Sequence, residues 1–126
     1  MNIPEGIMFS TDHEWIKVDD NIAVIGISDY AQSELGDIVF IDIDSDLNEI
    51  SVNEAFGSIE AVKTVSDLYA PVTGNVIEIN DRLEDEPEIV NSDPFGEGWL
   101  IKVDLADTSQ LSSLLSGEDY KNQIGG

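Results

Sequence analysis

Short apolar runs recur along this chain, and turn residues separate them. NIAVIGI (21–27) is rich in β-branched and apolar residues. DIVFIDID (37–44) ends in alternation, with Ile41 and Ile43 assigned to one face and Asp42 and Asp44 to the other. AFGSIEAV (55–62) follows. In GNVIEIN (74–80) the same alternation sends Ile77 and Ile79 one way and Glu78 and Asn80 the other. In GWLIKVD (98–104) it groups Trp99, Ile101 and Val103 against Lys102 and Asp104. Period-two patterning at this spacing predicts a β-sandwich or barrel.

Three insertions break that pattern. SDYAQSELG predicts a helix, with Ser28 as N-cap and Gly36 just past its end. DRLEDEPE (81–88) predicts one short turn that Pro87 interrupts. DTSQLSSLLSG predicts the best helix: Thr108 caps it, Leu111, Leu114 and Leu115 form its apolar stripe, and Gly117 stops it.

The stretch FGSIEAVKTVSDLYAPVTGNV (56–76) carries one basic residue, Lys63, between two apolar runs. Pro71 and Gly74 bracket a turn into the next strand. Residues 62–67 are then expected to join two antiparallel strands, with Lys63 at the tip. The Asn-Gly signal of the tightest hairpins is absent. A lysine in a turn is most often only solvated. Here Val62, Thr64 and Val65 make the tip unusually apolar for that role. An apolar tip with one primary amine suits a residue that enters another protein's pocket, and a rigid β-scaffold presents it at low entropic cost.

Composition narrows the function classes. The chain has 126 residues, within the range of one domain, and 41% are hydrophobic against 25% charged, as in a folded soluble protein. No apolar run approaches the ~20 residues of a membrane span. MNIPEGIMFS has neither the basic start and apolar block of a secretory signal nor the arginines of a transit peptide. A complete cytoplasmic chain is the expectation, and a mature organellar form would look the same. With 5 Lys+Arg against 27 Asp+Glu, the net charge is -22. Nucleic acid and anionic membranes would repel such a surface, whereas basic patches on partners would be drawn to it. The competing explanation is solubility alone.

The chemistry-bearing residues exclude more. Cysteine is absent and His13 is the only histidine, so thiolate metal sites, disulfides and His-dependent triads have no material. No metal site and no catalytic residue are expected. GEG (96–98) is a turn and not a phosphate loop. DIDSDL imitates the start of an EF-hand, but Leu47 and Asn53 stand where the loop needs Gly and Glu. Paired acid–base carboxylates cannot be picked out of 27 acids.

HEWIKV, GISDYAQSELGDIVFID, FGSIEAVKTVSDLYAPVTGNVIEIN, LEDEPEIVNSDPFGEGWLIKV and LSSLLSGEDY follow one another in this chain. With these motifs in this order, nearly the whole sequence resembles the H proteins of the glycine cleavage system, relatives of lipoyl and biotinyl carrier domains. In that family the lysine of E-[SA]-V-K is the lipoyl attachment site. Here the motif reads Glu60-Ala61-Val62-Lys63, and Gly74 opens the G-x-V that closes the lipoyl-domain pattern. Biotin carriers hold their lysine between two methionines, so Val62 and Thr64 disfavour biotin. The segment DSDLNEISVNEA (44–55) departs from the family by lacking Pro and Gly, which puts that loop's geometry in question.

The resemblance implies a mainly β, lipoyl-domain-like flattened barrel or sandwich with small added helices, one of them near the C-terminus. It places a single domain over 1–126, a β core over about 18–103 and a C-terminal helical segment over about 107–123. The implied function is that of a monomeric carrier, not an enzyme. (R)-Lipoate is joined to Lys63 as an amide by lipoate-attaching enzymes. The P protein, a pyridoxal-phosphate glycine decarboxylase, loads an aminomethyl group on the arm. The T protein, an aminomethyltransferase, passes the one-carbon unit to tetrahydrofolate. The L protein, dihydrolipoyl dehydrogenase, reoxidises the dithiol. In the family the loaded arm folds back near the HEW segment, which makes Glu14 the first candidate for sheltering it, with Asp12 and Asp67 behind. All three are otherwise ordinary surface acids. Two alternatives stay open: a relay passing lipoate to 2-oxoacid dehydrogenase subunits, and an unmodified scaffold or interaction domain.

Overall fold

The computed structural model describes residues 6–44 and 46–124. Residues 1–5, part of the segment weighed as a signal, Ser45 of the DIDSDL run and residues 125–126 lie outside them. The chain builds two antiparallel sheets. In one, strands β1 (Met8–Phe9), β2 (Glu14–Asp19), β3 (Ile22–Ile27), β9 (Ile101–Leu105), β8 (Gly74–Ile79) and β5 (Glu49–Ile50) lie side by side in that order. The other holds β4 (Ile38–Asp42), β6 (Ala55–Ala61) and β7 (Val65–Tyr69), with β6 in the centre. The sheets form a sandwich and not a closed barrel. Strands extend from residue 8 to residue 105.

The alternating pattern explains the main core. Ile16, Ile25, Ile101 and Val103 from the six-stranded sheet pack with Ile41, Ile59 and Leu68 from the three-stranded one, all buried. Each such side chain contributes ~1.5–3 kcal/mol relative to exposure. A smaller cluster joins Phe9, Trp15 and Tyr120 beside that core, and Trp15 Nε1 donates to the Pro94 carbonyl at 2.8 Å.

The alternation fails in two places. A bulge between Val76 and Glu78 shifts the register of β8 against β9. The extra residue turns Ile77 outward, 55% exposed, instead of beside Ile79. Asn80 is buried, where alternation put it on the wet face, and its amide donates to the carbonyls of Glu97 and Trp99. Trp99 precedes β9 and leaves the face of Ile101. Its ring lies 4.8 Å from the Lys102 ammonium and packs with the smaller aromatic cluster.

The predicted first helix is α1 (Asp29–Leu35). Ser28 Oγ caps it by accepting from Ala31 N at 3.1 Å, and Gly36 ends it at φ 81°. The acidic turn becomes α2 (Arg82–Asp85), and a further turn the pattern did not predict, α3 (Ile89–Ser92), follows Pro87. The expected C-terminal helix is present, but its caps differ from those the sequence suggests. Thr108–Ser113 is a 3-10 helix capped by Asp107, whose carboxylate accepts from Ser109 N, so Thr108 is not the cap. Leu115 leaves that helix to bridge Phe9. Gly117 stops nothing: it opens α4 (Gly117–Gln123), with Ser116 as N-cap and Glu118 and Asp119 in the first turn.

Candidate functional site

The hairpin joining β6 and β7 is tighter than the sequence pattern indicates. Ala61 N donates to the Thr64 carbonyl at 2.8 Å, which leaves Val62 and Lys63 at the tip. Val62 N donates to the Asp37 carbonyl at 3.0 Å, so the tip is tied to the segment that follows α1. Gly36 lies under the lysine. A Cβ built there would stand 3.1 Å from Lys63 Cε and 3.7 Å from Nζ. Its backbone, φ 81° and ψ -157°, belongs to a region that is essentially glycine-only. Lys63 itself is exposed, and none of the ion pairs between described residues involves it.

The outer face of the three-stranded sheet runs up to this lysine. Glu60 pairs with Phe40 on one side and Val65 on the other, so the three share a row. Val62 is 74% exposed and Val65 63%, with Val39 and Phe40 also open to solvent. Of the expected recognition residues, Glu60 and Val62 therefore stand with Lys63. Gly74 does not. It is buried in the other sheet, where a Cβ would fall 2.4 Å from Val103 Cγ1 and 2.5 Å from the Asp104 carbonyl oxygen. Close backbone approach explains that glycine.

A cleft of about 280 Å³ opens between the β1–β2 turn, α1 and the β6–β7 hairpin. Ile27, Leu35, Ile59 and Leu68 give it an apolar floor. Asp12, Glu14 and Asp67 all line it, so the structure brings the three candidate acids together. Only Asp12 and Asp67 are surface acids. Glu14 is 2% exposed, with Oε1 accepting from Ser10 Oγ at 3.1 Å and Oε2 accepting from Tyr69 N at 2.9 Å. Burial pushes its carboxyl up to about 8, against the opposing effect of those two hydrogen bonds. Burial thus favours the neutral acid at this position. Sequence reasoning missed His13, Tyr30 and Glu34 in the same wall. His13 has φ 68°, a left-handed turn position, and burial lowers its pKa despite Asp12 and Glu34. A cleft of about 330 Å³ between β4, β8 and α2 includes no residue of the β6–β7 hairpin.

The hairpin that carries Lys63 at its tip also gives Ile59, Ser66, Asp67 and Leu68 to the wall of the acid-lined cleft. The glycine cleavage H-protein family model matches residues 7–125. The chain belongs to that family. It is also similar to the crystal structure of a glycine cleavage system H protein from Mycobacterium marinum, at 35% identity and a TM-score of 0.90, over 98% of this chain and 100% of that one. Membership of the H-protein family gives the chain a lipoyl carrier role in the glycine cleavage system. Among the described residues no group of three or more His, Cys, Asp or Glu side chains could hold a metal ion, and no helix is long and apolar enough to cross a membrane.

Proposed function

We propose that Lys63 is the lipoyl attachment site and that the cleft beside it shelters the loaded arm. The observation that carries this reading is an exposed ε-amine, with no ion pair among the described residues, on the same hairpin that walls a cleft lined by Asp12, Glu14 and Asp67. The residues fit the group. Lys63 offers a free nucleophilic nitrogen, Gly36 leaves space along its stem, and the cleft combines an apolar floor with carboxyl oxygens. Lipoate joined to Lys63 would supply a long arm ending in a dithiolane, the redox-active sulfur pair to which an aminomethyl group from the P protein could be attached for the T protein, with the L protein as reoxidant.

This chain's own part is to bind and orient. The tie from Val62 N to Asp37 holds the tip, so little order is lost when an attaching enzyme engages it. Val62, Val65 and Phe40 give that enzyme apolar contact, and Glu60 gives it a charge. Inside the cleft, Asp12 and Asp67 attract an ammonium group. Glu14 gives up its proton when a cation arrives and then offers a charge-assisted acceptor. Nothing in this scheme asks the chain to make or break bonds in glycine, so it acts as a carrier and not as an enzyme.

Intact-mass and peptide mass spectrometry of the protein from cells with active lipoylation tests the proposal. A lipoyl increment on the peptide containing Lys63 is expected. An unmodified Lys63 would favour the scaffold reading, and a lipoyl group on Lys17, Lys102 or Lys121 would move the site.

A further inference from the structure

Helix α4 takes no part in the hairpin tip, and it contributes no side chain to the cleft lining. Yet its Tyr120 is fully buried and stacks on Phe9 with ring centroids 4.3 Å apart. The hydroxyl of Tyr120 lies 2.6 Å from Ser28 Oγ and 3.0 Å from His13 Nδ1. One phenol thus connects the C-terminal helix, the cap of α1 and the cleft wall.

The direction of these bonds follows from counting donors. Ser28 is 1% exposed, and its oxygen already accepts from Ala31 N. Its proton needs an acceptor, and the Tyr120 oxygen is the one that its hydrogen bonds among the described residues offer. The Tyr120 proton then goes to His13 Nδ1. The reverse chain, from Nδ1–H through Tyr120 to Ser28, leaves a buried serine proton unbonded, which native interiors avoid. His13 Nδ1 is therefore an acceptor, and the ring proton sits on Nε2.

We propose that Tyr120 is a positioning residue for the arm-sheltering cleft: its hydroxyl fixes His13 as the neutral Nε2–H tautomer and so keeps the wall free of positive charge for an amine-bearing arm. This rests on the reading of the cleft given above. The groups facing His13 show why the device is needed. Asp12 and Glu14 share its turn, Glu34 and Tyr30 face it from α1, with the Tyr30 ring 5.1 Å away, and Asp67 lines the cleft from β7. Asp12 and Glu34 both favour an imidazolium. A hydrogen bond donated to Nδ1 favours the neutral ring, in the same direction as burial. A protonated His13 would repel an ammonium and neutralise the acids meant to hold it.

Because His13 is the only histidine, 15N-histidine labelling gives one set of ring signals without assignment work. In the unmodified wild-type protein near pH 7.5, Nδ1 should resonate as an unprotonated ring nitrogen and Nε2 as a protonated one. An Nδ1–H tautomer there would overturn the proposal before any variant is made. Tyr120→Phe keeps the stack on Phe9 and removes the hydroxyl. The His13 pKa should rise by ~0.5 unit or more, and the tautomers should mix. Ser28→Ala removes the helix cap but leaves Tyr120 free to donate only to His13, so its tautomer should stay as in wild type. A pKa unchanged in Tyr120→Phe would overturn the proposal. On the lipoylated, loaded protein without T protein, falling pH should speed decay at a higher pH in Tyr120→Phe than in wild type. Equal pH profiles, with the tautomer result intact, would reduce Tyr120 to a structural residue and overturn its link to the arm. Absence of a lipoyl group on Lys63 would instead remove the shelter reading and leave the tautomer result standing.

Discussion

Glu14 Oε2 accepts the backbone N–H of Tyr69 at 2.9 Å, across 55 residues of sequence. That bond ties the first hairpin to the strand leaving Lys63. It also places a buried carboxyl at the back of the cleft, where it titrates far above an ordinary glutamate.

This raised pKa makes stability depend on pH with a definite sign. In the unfolded chain Glu14 ionises near 4.5, and in the folded protein near 8. Below pH 4.5 both forms are protonated and the group costs nothing. As pH rises from 4.5 to 8 the unfolded state loses its proton first, so stability falls, and the loss is complete above about 8. Its ceiling is ~3–5 kcal/mol. Glu14→Gln mimics the neutral acid and lacks this slope. Urea unfolding at pH 5 and pH 9 should show the variant gaining on wild type as pH rises. A constant difference between the two proteins would mean that Glu14 titrates normally.

Lys63→Arg keeps the charge and replaces the amine nucleophile with a guanidinium. The variant should fold as wild type by circular dichroism and carry no lipoyl group by intact mass. Lipoylation that persists in it would place the attachment elsewhere.

Gly36 combines a glycine-only backbone with contact to the lysine stem. Gly36→Ala should cost ~1–3 kcal/mol in stability through backbone strain. Its Cβ should also push Lys63 aside and slow lipoylation more than the stability loss explains. Initial rates of enzymatic lipoylation, taken where both proteins are fully folded, read this. A rate equal to wild type would leave Gly36 as a helix terminator alone.

Much of this site was legible in the sequence because its signals are local. Ser28 and Gly36 mark the ends of α1 by cap chemistry, and the apolar flanks of Lys63 announce a presented turn. Grouping Asp12, Glu14 and Asp67 needed the family resemblance, since nothing local links the HEW segment to β7. The burial of Glu14 was hidden for the same reason, because its partner Tyr69 is distant in sequence. Ile77 departs from its expected face because a bulge has no signature in a period-two pattern. Gly117 has the look of a stop, yet Ser116 before it and Glu118 and Asp119 after it carry the signs of a helix start. Leu114 and Leu115 looked like the end of one stripe, yet Leu115 pairs with Phe9 as extended chain.

Partner encounter should depend on salt. A net charge of -22 attracts basic patches over a Debye length of ~8–10 Å at physiological ionic strength. Stopped-flow association of the lipoylated protein with its P protein should slow as salt is raised, while dissociation changes less. Flat association rates would leave the acidic surface as a solubility device.

The loaded arm gives the last test. Its ammonium, held in the cleft, needs an ionised Glu14, and ionisation becomes easier as pH approaches 8. Glu14→Gln is close to wild type in shape and, at low pH, in charge. The variant should still be lipoylated and still accept the group from the P protein. Without T protein its loaded form should release ammonia or formaldehyde faster than wild type. The gap should be present across pH 6.5 to 8.5 and largest at the upper end, because only wild type can ionise at this position and the ammonium itself favours that ionisation. One charge-assisted hydrogen bond of ~1.5 kcal/mol corresponds to a rate difference of about tenfold at the upper end. Asp67→Asn removes a second cleft charge and should also speed decay. Decay equal to wild type in both variants at pH 8.5 would take Glu14 and Asp67 out of the shelter and leave Asp12 as the acid to test next.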